Sequence, residues 1–244
     1  MGKVDTRQID YAGYAPTYDE ARFHGRRNAY LERIRTRGIL NMVERRDYQR
    51  RVLDVGCGTA RGLLELGRAG FTNLTGLDFT TEMLRTGQEK IRQELSHQAV
   101  TLVRGDAFRL PFADRSFDVV MSLNFLHMFR FDLQEEIIRE MTRVCVGGGL
   151  VVTEFESIHK GLFCTRYLEQ LLVKDRTKFN SIREVRRLFS RAVYQDIRVI
   201  GTVLPKAYVL LEYCRRLGEL VESVAYVPPF NWMASRVVVA ARVR

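Results

Sequence analysis

Val52-Leu53-Asp54-Val55-Gly56-Cys57-Gly58-Thr59-Ala60, followed shortly by Leu74-Thr75-Gly76-Leu77-Asp78, is the most informative part of this 244-residue chain. Val52–Val55 is a short apolar run of strand type, and it stops in a turn holding two glycines. Arg61–Ala69 is compatible with a helix. A second apolar run, Leu74–Leu77, ends on an acid, Asp78. The order strand, glycine turn, helix, strand, acid is the half-site that folds use to hold a nucleoside. Glycine lets the backbone come close to a ligand because no Cβ intervenes. A carboxylate after the second strand can take both ribose hydroxyls, and a hydrogen bond to a charged group contributes about 1.5–3 kcal/mol.

The loop chemistry selects among nucleosides. A dinucleotide loop reads G-x-G-x-x-G, but here Arg61 holds the last position and Gly62 follows one residue late. The pattern is Asp54-x-Gly56-x-Gly58-x-Ala60. A pyrophosphate wants donors and a helix N-terminus, so the leading carboxylate suits a cationic ligand instead. This loop resembles the D-x-G-x-G-x-G loop of class I S-adenosylmethionine-dependent methyltransferases, with Ala60 in place of the third glycine. The resemblance implies that Asp54, Gly56, Cys57 and Gly58 cradle the methionine end of the cofactor, which carries an ammonium and a sulfonium. Asp78-Phe79 with Met83-Leu84 resembles the family's acid segment, in which Phe79 would lie against the adenine. Val103-Arg104-Gly105-Asp106-Ala107 resembles the turn whose acid accepts from the adenine amino group, with the Ala107 amide meeting the ring. Leu110-Pro111-Phe112, Ser116–Val120, Ser122–Met128 with Asn124, and Arg143-Val144 with Gly147–Gly149 continue the match in order. Tyr14-x-x-x-Tyr18-Asp19 resembles the family's lead-in, with Tyr18 as a lid over the cofactor. The likeness covers about residues 50–155 and continues weakly through 181–200.

Each feature also has a plain structural explanation. Phe79, Met83, Phe117, Val119 and Val120 stand where core packing alone would place apolar residues. Asp118 suits a strand end or cap. Gly147–Gly149 suits a helix end opening into a strand. Cys57 suits a small filler in the loop.

With 46% hydrophobic and 28% charged residues, the chain can bury one large α/β core. No apolar run reaches the ~18 residues of a membrane span. Met1–Glu20 is polar and lacks a signal-peptide core, so a cytoplasmic protein is expected. The cysteines at 57, 145, 164 and 214 form no C-x-x-C and no metal spacing with histidine, so reduced thiols and no metal site are expected. The net charge of +10 is uneven: residues 1–51 carry 12 basic and 7 acidic groups, 52–154 carry 11 and 14, and 155–244 carry 16 and 8. The excess lies on segments flanking the cofactor core, which hints at an anionic acceptor, although 33 of the 39 basic residues are arginine and genome composition explains that equally.

The expected architecture is a Rossmann-like, doubly wound α/β sheet of seven strands, with the last strand antiparallel as the resemblance implies. Strands are expected near 52–55, 74–77, 100–103, 117–121, 149–154, 194–200 and 236–243, with helices between. Residues 1–50 form an N-terminal helical lid with a helix over 24–47, and 51–244 the methyltransferase domain. Helical insertions at about 155–180 and 205–225 would roof the acceptor site or simply pack on the core. Ser181, with Glu184 three residues on, predicts a capping box opening a helix to Ser190. The implied chemistry is methyl displacement from sulfonium, where alignment and exclusion of water matter most. An acceptor needing deprotonation would use His127, Glu154 or His159 as base. The leading reading is methyl transfer to an O, N or C atom of a small, lipid-like, polyketide or isoprenoid metabolite. The runner-up is an RNA or protein methyltransferase. Against it, Ser122-Leu123-Asn124-Phe125 is not the N/D-P-P-Y/F motif of exocyclic-amine enzymes, and no DNA- or RNA-binding appendage is recognisable. A non-catalytic cofactor-binding subunit is the third.

Overall fold

The computed structural model describes residues 13, 15–23, 36, 38–43, 48–95, 99–157, 180–190, 193–202 and 236–244. Seven strands make one sheet: β1 (Val52–Val55), β2 (Asn73–Asp78), β3 (Ala99–Arg104), β4 (Phe117–Ser122), β5 (Cys145–Glu156), β6 (Tyr194–Thr202) and β7 (Arg236–Val243). Their order is β3-β2-β1-β4-β5-β7-β6. β1 to β5 pair in parallel, and β7 runs antiparallel to both of its neighbours. The chain steps outward from β1 to β3, then returns to place β4 on the other side of β1. That reversal opens a crevice beyond the carboxyl ends of β1 and β4, where open α/β sheets bind ligands.

The helices are α1 (Tyr18–Phe23), α2 (Arg61–Arg68), α3 (Thr81–Glu94), α4 (Phe131–Val144) and α5 (Ile182–Leu188). Residues 38–42 are also helical. The central strands are buried on both faces, which is why β1 and β4 read as nearly continuous apolar runs. Leu53, Val55, Val120 and Val151 meet α4 and α5 on one face. Val52, Val119, Met121 and Val152 meet α2, Ile91 of α3, and Ile39, Leu40 and Val43 on the other.

The capping box is present as the sequence predicts. The Glu184 amide donates to Ser181 Oγ at 3.3 Å, and the Ser181 amide donates to Glu184 Oε2 at 2.6 Å. Asp118 sits at the start of β4, where Arg51 grips it at 2.9–3.0 Å through its amide and guanidinium. Three expectations need correction. Residues 105–116, between β3 and β4, contain no helix; Asp106 and the Arg143 guanidinium organise this loop instead. β5 begins at Cys145, not near 149. The three glycines therefore do not end α4; they bulge out of register inside β5, between the pairs Phe117–Cys145 and Val119–Leu150. A Cβ at Gly149 would lie 2.9 Å from the Asp118 carbonyl oxygen, so the bulge needs glycine there. Of the helix expected over 24–47, only residues 36 and 38–42 are described as helical. Tyr14, His159, most of the insertion expected at 155–180 and all of that expected at 205–225 lie outside the described residues.

Candidate cofactor and active site

Every strand of the parallel set delivers its last residue to one edge, and the loops after β1, β2 and β4 meet there. The Gly56 and Cys57 amides both donate to the Leu77 carbonyl, at 2.8 and 3.0 Å, which fixes the glycine turn on β2. Gly56 has φ +74°, and a Cβ there would lie 2.4 Å from the Phe125 ring. The turn after β1 and the loop after β4 are therefore in contact only because residue 56 has no side chain. Gly58 differs: its φ is +52° and a Cβ would meet nothing within 4 Å. Open space over bare backbone is what a ligand cradle requires.

A cleft of about 430 Å³, open solvent at its mouth included, is lined by Tyr18, Asp54, Gly56, Cys57, Gly58 and Asn124 among the expected residues. Thr59, Arg61, Gly62 and Leu123 complete it. Asp54 is buried, 3% exposed, and a Cβ at Gly62 would come within 2.8 Å of its Oδ2. Burial, reinforced by Asp54 and Asp78, pushes the Cys57 thiol well above its ordinary range, so it stays a neutral filler.

Asp78 stands beside the cleft. Its Oδ2 accepts from the Gly58 amide and its Oδ1 from the Thr80 amide, both at 2.8 Å. Burial raises its pKa above the usual carboxylate value, opposed by these amides. Each oxygen keeps lone-pair capacity for a further donor. Phe79 is 45% exposed, which overturns its core reading; Met83, Phe117, Val119 and Val120 are buried as packing predicts. The Arg104 guanidinium lies 5.8 Å from the Phe79 ring centroid and its Nε donates to the Phe79 carbonyl at 3.3 Å. The Gly105 amide donates to the Asp78 carbonyl at 3.0 Å, which sets Asp106 and buried Ala107 beside Asp78. Asp106 Oδ1 accepts from the Phe108 amide at 2.9 Å and closes a turn.

Two expected bases are described. His127 lies half-buried in the 3-10 turn Leu126–Met128. Glu154 is buried: its Oε2 accepts from the Asn124 amide at 2.9 Å, and Arg236 Nη1 reaches its Oε1 at 3.4 Å. Asn124 takes φ +55°. Neither His127 nor Glu154 lines the cleft. Arg61 and Thr59 belong to the quoted loop and could have been named from their place in it. Leu123, a loop residue of ordinary type, carried no signal.

Residues 53–153 match the family model described as a methyltransferase domain. With the sheet order above, this stretch is similar to a class I S-adenosylmethionine-dependent methyltransferase domain. Among curated proteins, the chain is 40% identical over 124 residues to the demethylmenaquinone methyltransferase of Mycobacterium marinum, covering 50% of this chain and 48% of that protein. It spans between two fifths and half of the length of the curated relatives it matches. Among solved structures it is similar to an S-adenosylmethionine-dependent methyltransferase from Thermotoga maritima (TM-score 0.62, 18% identity, 95% of this chain and 97% of that one). It is also similar to phosphoethanolamine N-methyltransferase 2 of Haemonchus contortus in complex with S-adenosyl-L-methionine (TM-score 0.64, 19% identity, 85% and 52%). At such identities the likeness is one of fold.

The cofactor implied by the fold fits the residues present. The bare Gly58 backbone faces open space, buried Asp54 brings negative charge to the cleft, and the exposed Phe79 ring follows directly on the Asp78 carboxylate.

Proposed function

We propose that the protein is an S-adenosylmethionine-dependent methyltransferase acting on a small, lipophilic acceptor of the demethylmenaquinone kind. The observation that carries this reading is Asp78 tied to the Gly58 amide, with Asp54 buried in the wall of the cleft and Phe79, next in sequence to Asp78, exposed. The name of the relatives supports the acceptor class. The match runs through the cofactor half, so the acceptor assignment depends on that kinship. When bound, the cofactor supplies a methyl group on a positively charged sulfur.

Asp78 would take the ribose hydroxyls, Phe79 and Ala107 the adenine, and Asp106 its amino group. Asp54 and the Gly56–Gly58 backbone would hold the amino-acid end, with Arg61 offering a cation to its carboxylate. A phenolic or enolic acceptor must lose a proton as it is methylated. His127 is the residue we assign to that task among those described, and His159 is the alternative. Glu154 keeps its two oxygens on Asn124 and Arg236, so we assign it to holding the loop after β4. Residues 1–50 and the insertions near 155–180 and 205–225 are taken as the covers of the acceptor site. Among the described residues no helix is long and apolar enough to cross a membrane, and we place the protein in the cytoplasm.

Equilibrium binding of S-adenosylhomocysteine tests the cofactor site. Asp78→Ala should weaken it roughly 10–100-fold, at about 1.4 kcal/mol per decade. Unaltered binding in that variant removes Asp78 from the ribose role. Transfer of labelled methyl to a demethylated quinol, and not to RNA, tests the acceptor class. A strong fall in turnover for His127→Ala with unchanged cofactor affinity supports the base.

A further inference from the structure

Asp19 has no part in the roles assigned above, yet it joins three separate pieces of the cofactor end. One carboxylate oxygen accepts from the Thr59 hydroxyl at 2.9 Å, and the other pairs with the Lys90 ammonium. Thr59 belongs to the glycine loop, lines the cleft and is only 2% exposed. Lys90 stands on α3, 71 residues from Asp19 in sequence. α3 is itself pressed against the loop: a Cβ at Gly87 would lie 3.2 Å from the Thr59 carbonyl carbon. Asp19 is thus anchored on both sides to the wall that would carry the ligand.

α1 has six residues, far too few to hold a helix by propensity alone. It needs tertiary anchors, and Asp19 in its first turn supplies a charged one. Directly before it, Tyr18 lines the cleft. Asp54 and Asp78 border the same glycine loop, so a third carboxylate brought to Thr59 calls for a compensating cation. Lys90 supplies it.

We infer that Asp19 is a positioning residue: through Thr59 and Lys90 it latches α1, and with it Tyr18, against the cleft, so that the cofactor leaves only when this contact opens. The inference rests on the cleft being the S-adenosylmethionine site. Closure and loading are then linked reciprocally, because the Thr59 hydroxyl that holds the latch belongs to the loop that would hold the ligand.

The test is the dissociation rate of S-adenosylhomocysteine from the full chain, measured by stopped flow. Asp19→Ala should release it about tenfold faster, equivalent to about 1.4 kcal/mol, with the association rate little changed. Asp19→Asn keeps an acceptor for Thr59 and loses the ion pair, so its rate should fall between the two. Lys90→Asp alone should also speed release. The reversal Asp19→Lys with Lys90→Asp should recover most of the loss, since a hydroxyl can accept from lysine as readily as it donates to aspartate. Hydrogen exchange over residues 15–23 gives an independent readout, with faster exchange in Asp19→Ala and less protection on adding the ligand. Wild-type release from Asp19→Ala, or a reversal no slower than the worse single variant, overturns the latch. If the wild-type chain itself binds no S-adenosylhomocysteine, the reading of the cleft falls and the latch with it. Binding by wild type with unaltered variants removes the latch alone.

Discussion

Ala60 and Gly87 form a coupled pair, and the coupling can be worked out from their geometry. Ala60 is fully buried at the N-cap of α2 with φ +62°, a left-handed conformation that costs a residue with a Cβ about 1–2 kcal/mol. Ala60→Gly removes that strain. It also loses one buried methyl, worth about 0.8 kcal/mol, and loosens the unfolded chain by about 0.4–1 kcal/mol. These nearly cancel, so the single variant should lie within about 1 kcal/mol of wild type. Gly87→Ala should gain about 1 kcal/mol of helix propensity in α3. Its new methyl would stand 3.1 Å from Ala60 Cβ, 3.2 Å from the Thr59 carbonyl carbon and 3.4 Å from the Ala60 nitrogen. Carbon pairs prefer about 3.5–4.0 Å, and overpacking of this kind costs about 1–3 kcal/mol. Gly87→Ala should therefore be neutral to destabilising by about 2 kcal/mol. In the double variant the 3.1 Å contact with the Ala60 Cβ disappears while the two backbone contacts remain. Strain relief and helix gain already belong to the single variants, so the loss of that one contact should make the double more stable than the sum of the singles by about 1 kcal/mol. Urea denaturation of the four proteins measures this, with S-adenosylhomocysteine titration to check the loop. Additivity within about 0.5 kcal/mol would show that α3 and the loop yield freely, and would refute the reasoning.

Gly56→Ala meets both a left-handed φ and the Phe125 ring at 2.4 Å; it should destabilise by more than ~2 kcal/mol and abolish ligand binding, as calorimetry and titration would reveal. Arg143 binds the Leu110 and Phe112 carbonyls at 3.0 and 2.9 Å, together with Glu140 and Asp114. Arg143→Ala should cost about 2 kcal/mol in urea unfolding and weaken S-adenosylhomocysteine through the freed 105–116 loop; wild-type affinity would detach that loop from adenine binding. Because the folded pKa of Asp78 is raised above its unfolded value, its contribution to stability is fully present below pH 3.8 and is lost as pH rises through the folded value. Ligand affinity should move the opposite way, rising with pH through that window as the carboxylate ionises. An affinity flat across it, in wild type compared with Asp78→Asn, would contradict the ribose role.

Much of this molecule could be read from its residues because the informative features are local. Val52–Val55 is apolar throughout save Asp54 because a central parallel strand is covered on both sides, and Ser181 with Glu184 caps α5 because a capping box needs only four consecutive residues. Phe79 misled as a core candidate because hydrophobicity does not distinguish a ring buried in packing from one held out beside Arg104. Gly147–Gly149 misled because a glycine run looks the same whether it ends a helix or bulges from a strand; only the neighbouring Asp118 carbonyl separates the two. Glu154 was legible as an acid near the end of the fifth strand and a candidate base, but one of its two partners is a backbone amide, and an amide leaves no mark in a sequence. The Asp19–Lys90 pair spans most of the cofactor half, and no spacing rule reaches that far.

Beyond the carboxyl ends of its neighbours, β5 continues to a point where Ser157 forms a bridge with Asn180, and the Asn180 amide donates to the Glu156 carbonyl at 2.8 Å. Asn180 is further tied by its side chain to buried Gln134, which also holds the Leu126 and Phe129 carbonyls around His127. The 22 positions between these two stumps leave and rejoin the scaffold at one fixed socket. Whole segments could be exchanged there, long for short or apolar for polar, while the glycine turn after β1 and Asp78 at the end of β2 stayed undisturbed. A fold wired this way can vary what enters at one socket and keep the rest of its sheet as it is.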